Sequence, residues 1–311
     1  MRPGRRGALA LLGLFLVVLT WVTMSDWPLS LNLLRLYPKK LGSRVAGWAA
    51  TRPIPRWARP AVLGGFAGHY RINLQEAEFP LTDYASLQAF FTRRLKPGLR
   101  PQDAPVPGFI NSPVDARIVA CGRIEAGTAI QAKGLSYSVA ELLKQDPRTR
   151  RFEGGHFLTL YLSPRDYHRI HVPFEGRVTA VGRVEGELWP VNEASTQHVP
   201  RLYERNRRAT WMAEGHGEDE GLEVACVLVG ATHVGGVLLD DRWLAGKALP
   251  SNGGFSVDHL PCEPGEDLGT FQFGSTVVLL VGGPKATAWS PALSEGTVKM
   301  GQRLGGYRIN P

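Results

Sequence analysis

The sequence predicts an α+β protein, with a helical N-terminal part followed by a mostly antiparallel β body. Two changes of pattern carry this expectation. Residues 29–105 are loop-rich with helical patterning, whereas beyond Gly108 short runs of β-branched and aromatic residues alternate with turn residues. Between them, Gly98 to Gly108, with Pro101, Pro105 and Pro107, reads as a linker or extended edge. The chain has 311 residues, 43% hydrophobic and 21% charged, which suits one large core or two smaller units and excludes a disordered chain.

In the first half, Pro53, Pro55 and Pro60 interrupt the helical pattern, and Asp83–Phe91 is expected to form an amphipathic helix. Strands are expected at Arg117–Cys121, His156–Leu162, Arg177–Val181, Glu223–Val229, Val234–Leu238 and Thr276–Val281. Only Val139–Lys144 reads as helical in this half. No internal repeat or low-complexity tract interrupts the chain. Three units follow: 1–28, a membrane anchor or membrane-associated segment; 29–105, a basic helical region; and 106–311, a β-rich catalytic domain.

The formal net charge of +8 is concentrated near the N-terminus: eight basic side chains and no acid lie between Trp27 and Gln75. Such a block suits an anionic surface, phospholipid headgroups or nucleic acid. The run Ala8 to Met24 is apolar apart from two threonines and follows Arg2, Arg5 and Arg6, which favours the membrane. The residues after it, Ser25-Asp26-Trp27-Pro28, do not form a signal-peptide cleavage site. Arginines ahead of the run would hold the N-terminus in the cytoplasm, so a full span would carry the body across. Cys121, Cys226 and Cys262 are widely spaced and form no C-x-x-C pair, which speaks for a reducing compartment and against a disulfide framework or zinc knuckle. A helix that dips into the inner membrane with the catalytic body in the cytoplasm reconciles the two. No basic and aromatic residues interleave in a recognised nucleic-acid module, so no nucleic-acid partner is expected.

Three segments could carry chemistry. Ser112-Pro113-Val114-Asp115 delivers an aspartate to the start of a strand. The run Tyr161–Pro173 sets His168 and His171 three residues apart after an apolar strand. In Phe271–Val281, Ser275 stands at the mouth of a long buried strand. Singly, each has an ordinary structural explanation: a turn-forming aspartate, satisfied histidines, a loop-to-strand serine. His-x-x-His lacks a third ligand at a helpful interval, so no metal is expected. Together they supply the Asp, His and Ser of a relay in which carboxylate orients imidazole and imidazole activates hydroxyl. The serine lacks the G-x-S-x-G elbow of a common hydrolase. An esterase that leaves its chain intact, and a non-catalytic membrane-bound β protein, are the competing classes.

Five stretches in order are more specific than any one alone: Phe90–Pro101, Ser112–Asp115, Tyr161–Pro173, Val229–Gly235 and Leu268–Thr276. On these the chain resembles the bacterial phosphatidylserine decarboxylase proenzymes across nearly everything after residue 80. One departure is Phe273, where the family usually has the leucine of Leu-Gly-Ser-Thr. The resemblance implies self-cleavage between Gly274 and Ser275 into a long chain, 1–274, and a short chain, 275–311, which stay together as a heterodimer. It assigns Asp115, His171 and Ser275 to the cleavage relay, with Asp115 holding the His171 ring. Ser275 becomes a covalent pyruvoyl group that forms a Schiff base with phosphatidylserine in an anionic membrane and yields phosphatidylethanolamine. His168 is the candidate proton donor, and no metal or diffusible cofactor is implied. Oligomeric state beyond the heterodimer is left open, as is whether the enzyme acts on another serine-headed lipid.

Overall fold

The computed structural model describes residues 39–307 apart from 104–105, 133, 145, 233–235 and 273–274. The apolar run 8–24 and Gly274 lie outside the described residues, and so does the expected 1–28 unit. Among the described residues no helix is long and apolar enough to cross a membrane.

Helices gather at the N-terminal end, and the rest is a mostly antiparallel β body, as the residue patterning predicts. α1 (Lys39–Thr51) stops ahead of Pro53, and α2 (Arg59–Tyr70) carries Pro60 in its first turn, where a missing N–H costs nothing. α3 is shorter than expected, Leu87–Phe91, because Ser86 is extended and caps it by accepting the Ala89 N–H at 3.1 Å. Leu63, Ala67, Ile72, Tyr84 and Phe90 form a small core of their own.

The strands in chain order are β1 (Ile110–Asn111), β2 (Ala116–Arg123), β3 (Thr128–Ala132), β4 (Leu135–Ser138), β5 (His156–Leu162) and β6 (Arg169–His171). Next come β7 (Gly176–Val184), β8 (Arg208–Glu214), β9 (Glu223–Gly230), β10 (Val237–Leu239), β11 (Gly253–Cys262) and β12 (Asp267–Phe271). The last four are β13 (Ser275–Gly282), β14 (Trp289–Pro291), β15 (Gly296–Val298) and β16 (Arg303–Tyr307). Eight of them make one sheet in the order β11-β7-β8-β9-β13-β5-β2-β15. Smaller sheets, β10-β12-β6 and β1-β16-β14, contribute Ile170, Leu268, Phe271, Trp289 and Leu304 to the core on one face of it. The β3–β4 hairpin and short helices cover the other face with Tyr137, Leu142 and Tyr203.

β13 runs between β9 and β5, and all eight of its residues are buried. Val277, Leu279 and Val281 fill one core while Val278 and Leu280 fill the other. Cover on both faces explains its unbroken apolar run, since a half-exposed strand would alternate. β8 and the edge strand β11 escaped the sequence reading. Arg208 and Thr210 interrupt the apolar run of β8, and outward polar residues dominate β11. The expected helix at Val139–Lys144 forms over Val139–Leu142, capped by Ser138. It is not alone in this half: helices also form at Glu193–His198 and Leu202–Arg205, under the caps of Asn192 and an Arg201 in left-handed conformation. They are too short to show a helical period.

Shortening a β13 side chain is expected to leave a cavity that this packing cannot close. Leu279→Ala should cost about 2–5 kcal/mol in denaturant unfolding, whereas Leu238→Ala, on a half-exposed β10 position, should stay within about 0.5 kcal/mol.

Candidate active site

The site is assembled where β13 begins. Ser275 pairs with Leu162 of β5 on one side and Gly230 of β9 on the other, which fixes its backbone in the middle of the large sheet. By strand alternation its side chain shares the face of Val277 and Leu279, toward the small sheet that carries β6 and β12. Ser275 is fully buried and its Oγ has no hydrogen-bond partner among the described residues. A buried hydroxyl without a partner loses its water and gains nothing in return, a cost of about 1–3 kcal/mol.

The segment Ser163–His168 leaves β5 directly beside Ser275. The Asp166 carboxylate accepts the Ser163 N–H at 2.8 Å and closes the turn. His168 is fully buried, its ring against Phe91 of α3 with centroids 4.0 Å apart. Its Nδ1 lies 2.9 Å from the Asp166 carbonyl and therefore carries the proton, leaving the Nε2 lone pair without a partner among the described residues. Burial pushes this imidazole down to about 3, with the nearby Arg93 charge acting in the same direction, so the ring is neutral at physiological pH.

His171 is turned elsewhere. In an extended segment, residues three apart lie on opposite faces. Ile170 points into the core between the sheets, and Arg169 and His171 face Asp267 of β12, at 3.4 and 3.6 Å. The His171 Nδ1 donates to the Gly265 carbonyl at 2.8 Å, and its Nε2 accepts from the Tyr167 hydroxyl at 3.1 Å. Burial lowers its proton affinity too, against the Gly265 bond and Asp267.

Asp115 does not hold the His171 ring. Its carboxylate accepts from Arg100 at 2.6 to 3.1 Å, from the Met300 N–H at 2.9 Å and from Lys299 at 3.2 Å. Two cations and a backbone donor attract a buried carboxylate more strongly than a neutral imidazole does. Burial alone would raise the Asp115 carboxyl, but the Arg100 and Met300 hydrogen bonds outweigh it and hold it below the usual carboxylate range. Its link to His171 runs through the backbone: the His171 N–H donates to the Pro113 carbonyl at 2.9 Å, in the turn that delivers Asp115. Arg100 also reaches Glu76 at 2.7 Å, tying the N-terminal region to the site. Arg100, Tyr167 and Asp267 went unassigned in the sequence reading. Arg100 and Tyr167 lie inside two of the diagnostic stretches, but charge alone does not reveal which acid a cation meets. Among the described residues no group of three or more His, Cys, Asp or Glu side chains is placed to hold a metal ion.

With this geometry in view, comparison with known proteins is decisive. The family model described as phosphatidylserine decarboxylase matches residues 87–306. The chain belongs to the phosphatidylserine decarboxylase family. By that membership it is a decarboxylase. A relative from Myxococcus xanthus is 38% identical over 278 residues, covering 88% of this chain and 97% of the relative. One from Coxiella burnetii is 40% identical over 286 residues (88% and 96%), and one from Anaeromyxobacter is 42% identical over 286 (89% and 98%). All three are named phosphatidylserine decarboxylase proenzyme. The family match begins at Leu87, the start of α3, and so includes Phe91, Arg93 and Arg100 together with the β body.

The buried histidines set an acid limit on stability. An unfolded chain protonates His168 near the ordinary value of 6.5, whereas the folded chain resists until about 3. The unfolded state therefore binds more protons between these values, and stability present above 6.5 is lost as pH falls. The melting temperature of an uncut Ser275→Ala chain should drop across this window, and adding His168→Asn should flatten the drop relative to the parent.

Proposed function

We propose that the chain is a self-cleaving precursor that decarboxylates phosphatidylserine to phosphatidylethanolamine by means of Ser275, within phospholipid biosynthesis. The observation that carries the reading is the Ser275 hydroxyl, fully buried and without a partner at the head of the central strand. The word proenzyme in the relatives' names supports a processed chain.

In cleavage, the Ser275 Oγ attacks the Gly274 carbonyl carbon, and the amide C–N bond breaks as the ester C–O bond forms. β-Elimination then frees the Gly274 carboxylate, and water releases ammonia, leaving a pyruvoyl group at the head of 275–311. The position fits such a group: it is shielded from water, with β5 and β9 backbone on either side and no side chain bound to the Oγ. The group supplies a carbonyl that takes up the electron pair released with carbon dioxide. Because β13 is central and buried on both faces, the two pieces stay together as a heterodimer.

In the relay, His171 takes the Ser275 proton, and Asp115 keeps the His171 turn in place through the Pro113 carbonyl. The tautomer suits a base, since Nδ1 donates to Gly265 and Nε2 bears the lone pair. Reaching Ser275 requires His171 to leave Tyr167. His168 returns a proton to the substrate carbon. Entry of an anion raises its low proton affinity and readies it for this step. A second reading exchanges the histidines: His168 stands in the segment that follows Leu162, the β5 partner of Ser275, and its Nε2 has no partner among the described residues.

For the membrane, Trp57 is 86% exposed and Trp48 and Val62 are half exposed, among Arg44, Arg52 and Arg56 of the basic block. Apolar side chains beside cations suit the surface of an anionic bilayer, each cation contributing about 1 kcal/mol. The site of action is the inner membrane, with the catalytic body on its cytoplasmic side.

Ser275→Ala and His171→Ala are expected to give one uncut chain of 34.1 kDa by intact mass, whereas His168→Ala should split and lose most carbon dioxide release. An uncut His168→Ala beside a cut His171→Ala selects the exchanged reading; a cut Ser275→Ala chain overturns the proposal. In flotation with anionic liposomes, deletion of residues 1–75 should abolish most binding, and undiminished binding would refute the membrane assignment.

A further inference from the structure

Arg93 is the unexplained charge of this site. It follows α3, two residues after the Phe91 that packs on His168, and it is only 4% exposed. Its Nη2 donates to the Arg165 carbonyl at 3.3 Å, and its guanidinium lies 5.3 Å from the Phe90 ring centroid. Its Nε and Nη1 are buried and have no partner among the described residues. The carboxylates that act on it, Glu76 and Asp115, are held by Arg100 and Lys299, and Arg93 forms no ion pair among the described residues. A buried guanidinium lacking a counter-charge destabilises the fold, a cost that an anionic ligand would offset.

The surroundings tie Arg93 to the segment beside Ser275. Arg165, which accepts from Arg93, and Asp166, which accepts from His168, are neighbours in the segment that leaves β5 beside Ser275. The His168 carbonyl in turn accepts the N–H of Phe271, four residues ahead of Ser275. Arg93 and His168 thus flank one segment next to the reacting position.

We propose that the unpartnered Nε–H and Nη1–H donors of Arg93 bind the phosphodiester of the lipid headgroup, and so set the requirement for a phosphate beside the serine moiety. This rests on the decarboxylase reading. The headgroup offers two anions, a carboxylate and a phosphodiester, separated from each other by only a short chain of atoms. A guanidinium fork on the carboxylate would stabilise the ground state and lose its partner as carbon dioxide departs, which slows the reaction. The phosphodiester keeps its charge throughout, so holding it costs no rate and orients the carbon that is to be protonated near His168.

The test uses the processed enzyme with Arg93→Met, which keeps much of the volume and removes the charge, and Arg93→Lys, which restores a charge without the fork. Arg93→Met should raise KM for phosphatidylserine in mixed micelles by about 10–100-fold with kcat little changed, and Arg93→Lys should recover part of it. Glycerophosphoethanolamine, which has the phosphate and no carboxylate, should inhibit the parent enzyme and lose potency against Arg93→Met by a similar factor. Unchanged inhibition overturns the proposal, and a fall in kcat with inhibition intact moves Arg93 to the departing carboxylate and overturns it equally. If Arg93→Met is not processed, its melting temperature in the uncut Ser275→Ala chain decides. A rise or no change fits an uncompensated charge, whereas a drop of several degrees makes Arg93 a structural strut and refutes the assignment. A parent enzyme that releases no carbon dioxide from phosphatidylserine would defeat the decarboxylase reading instead, and the melting comparison would still stand.

Discussion

Burial of the strand Ser275–Gly282 on both faces is the constraint from which the remaining structure follows. A strand paired on both edges and covered above and below places its first residue at a definite height and pointing in a definite direction. Here that residue is Ser275, whose hydroxyl is held out of water. The same burial keeps the C-terminal piece in the core whether or not the backbone ahead of it is intact. A reactive serine on a surface loop would have neither property.

The charges around this strand follow from the same burial. Each acid close to the site is held by at least one arginine: Asp115 and Glu76 by Arg100, and Asp267 by Arg94 and Arg169. Both histidines are kept neutral by desolvation and donate Nδ1–H to backbone carbonyls. The result is a region of strong fixed charge with uncharged imidazoles inside it, each fixed through Nδ1 on a carbonyl. A fixed field of this kind needs little rearrangement when charge develops in a reaction. Arg93, buried without a carboxylate, breaks the balance toward positive.

α3 joins the two parts of the molecule. Phe90 completes the small N-terminal core, and its neighbour Phe91 packs on His168. Arg100 then spans from Glu76 to Asp115. The expected boundary near residue 105 therefore does not separate the site from the helical region, because residues 76–100 supply part of its walls and much of its charge.

Much of this was legible in the residues themselves. The apolar runs of β5, β9 and β13 showed as strands because burial on both faces leaves no polar alternation, and Ser275 stood out by its place at the head of one. The five ordered stretches pointed to the family, and Asp115, His168, His171 and Ser275 all fall within them. The sequence could not show that His168 would pack on Phe91 while His171 meets Tyr167 and Gly265, since that depends on what packs over a three-residue strand. Nor could it show that Asp115 would face Arg100 and Lys299 instead of an imidazole. Arg100 lies 15 residues from Asp115 and Lys299 lies 184, and only folding brings these charges together. Local pattern determined the elements and the reactive residue types; long-range packing decided which side chains meet, because contact energies depend on distances that the order of residues does not encode locally.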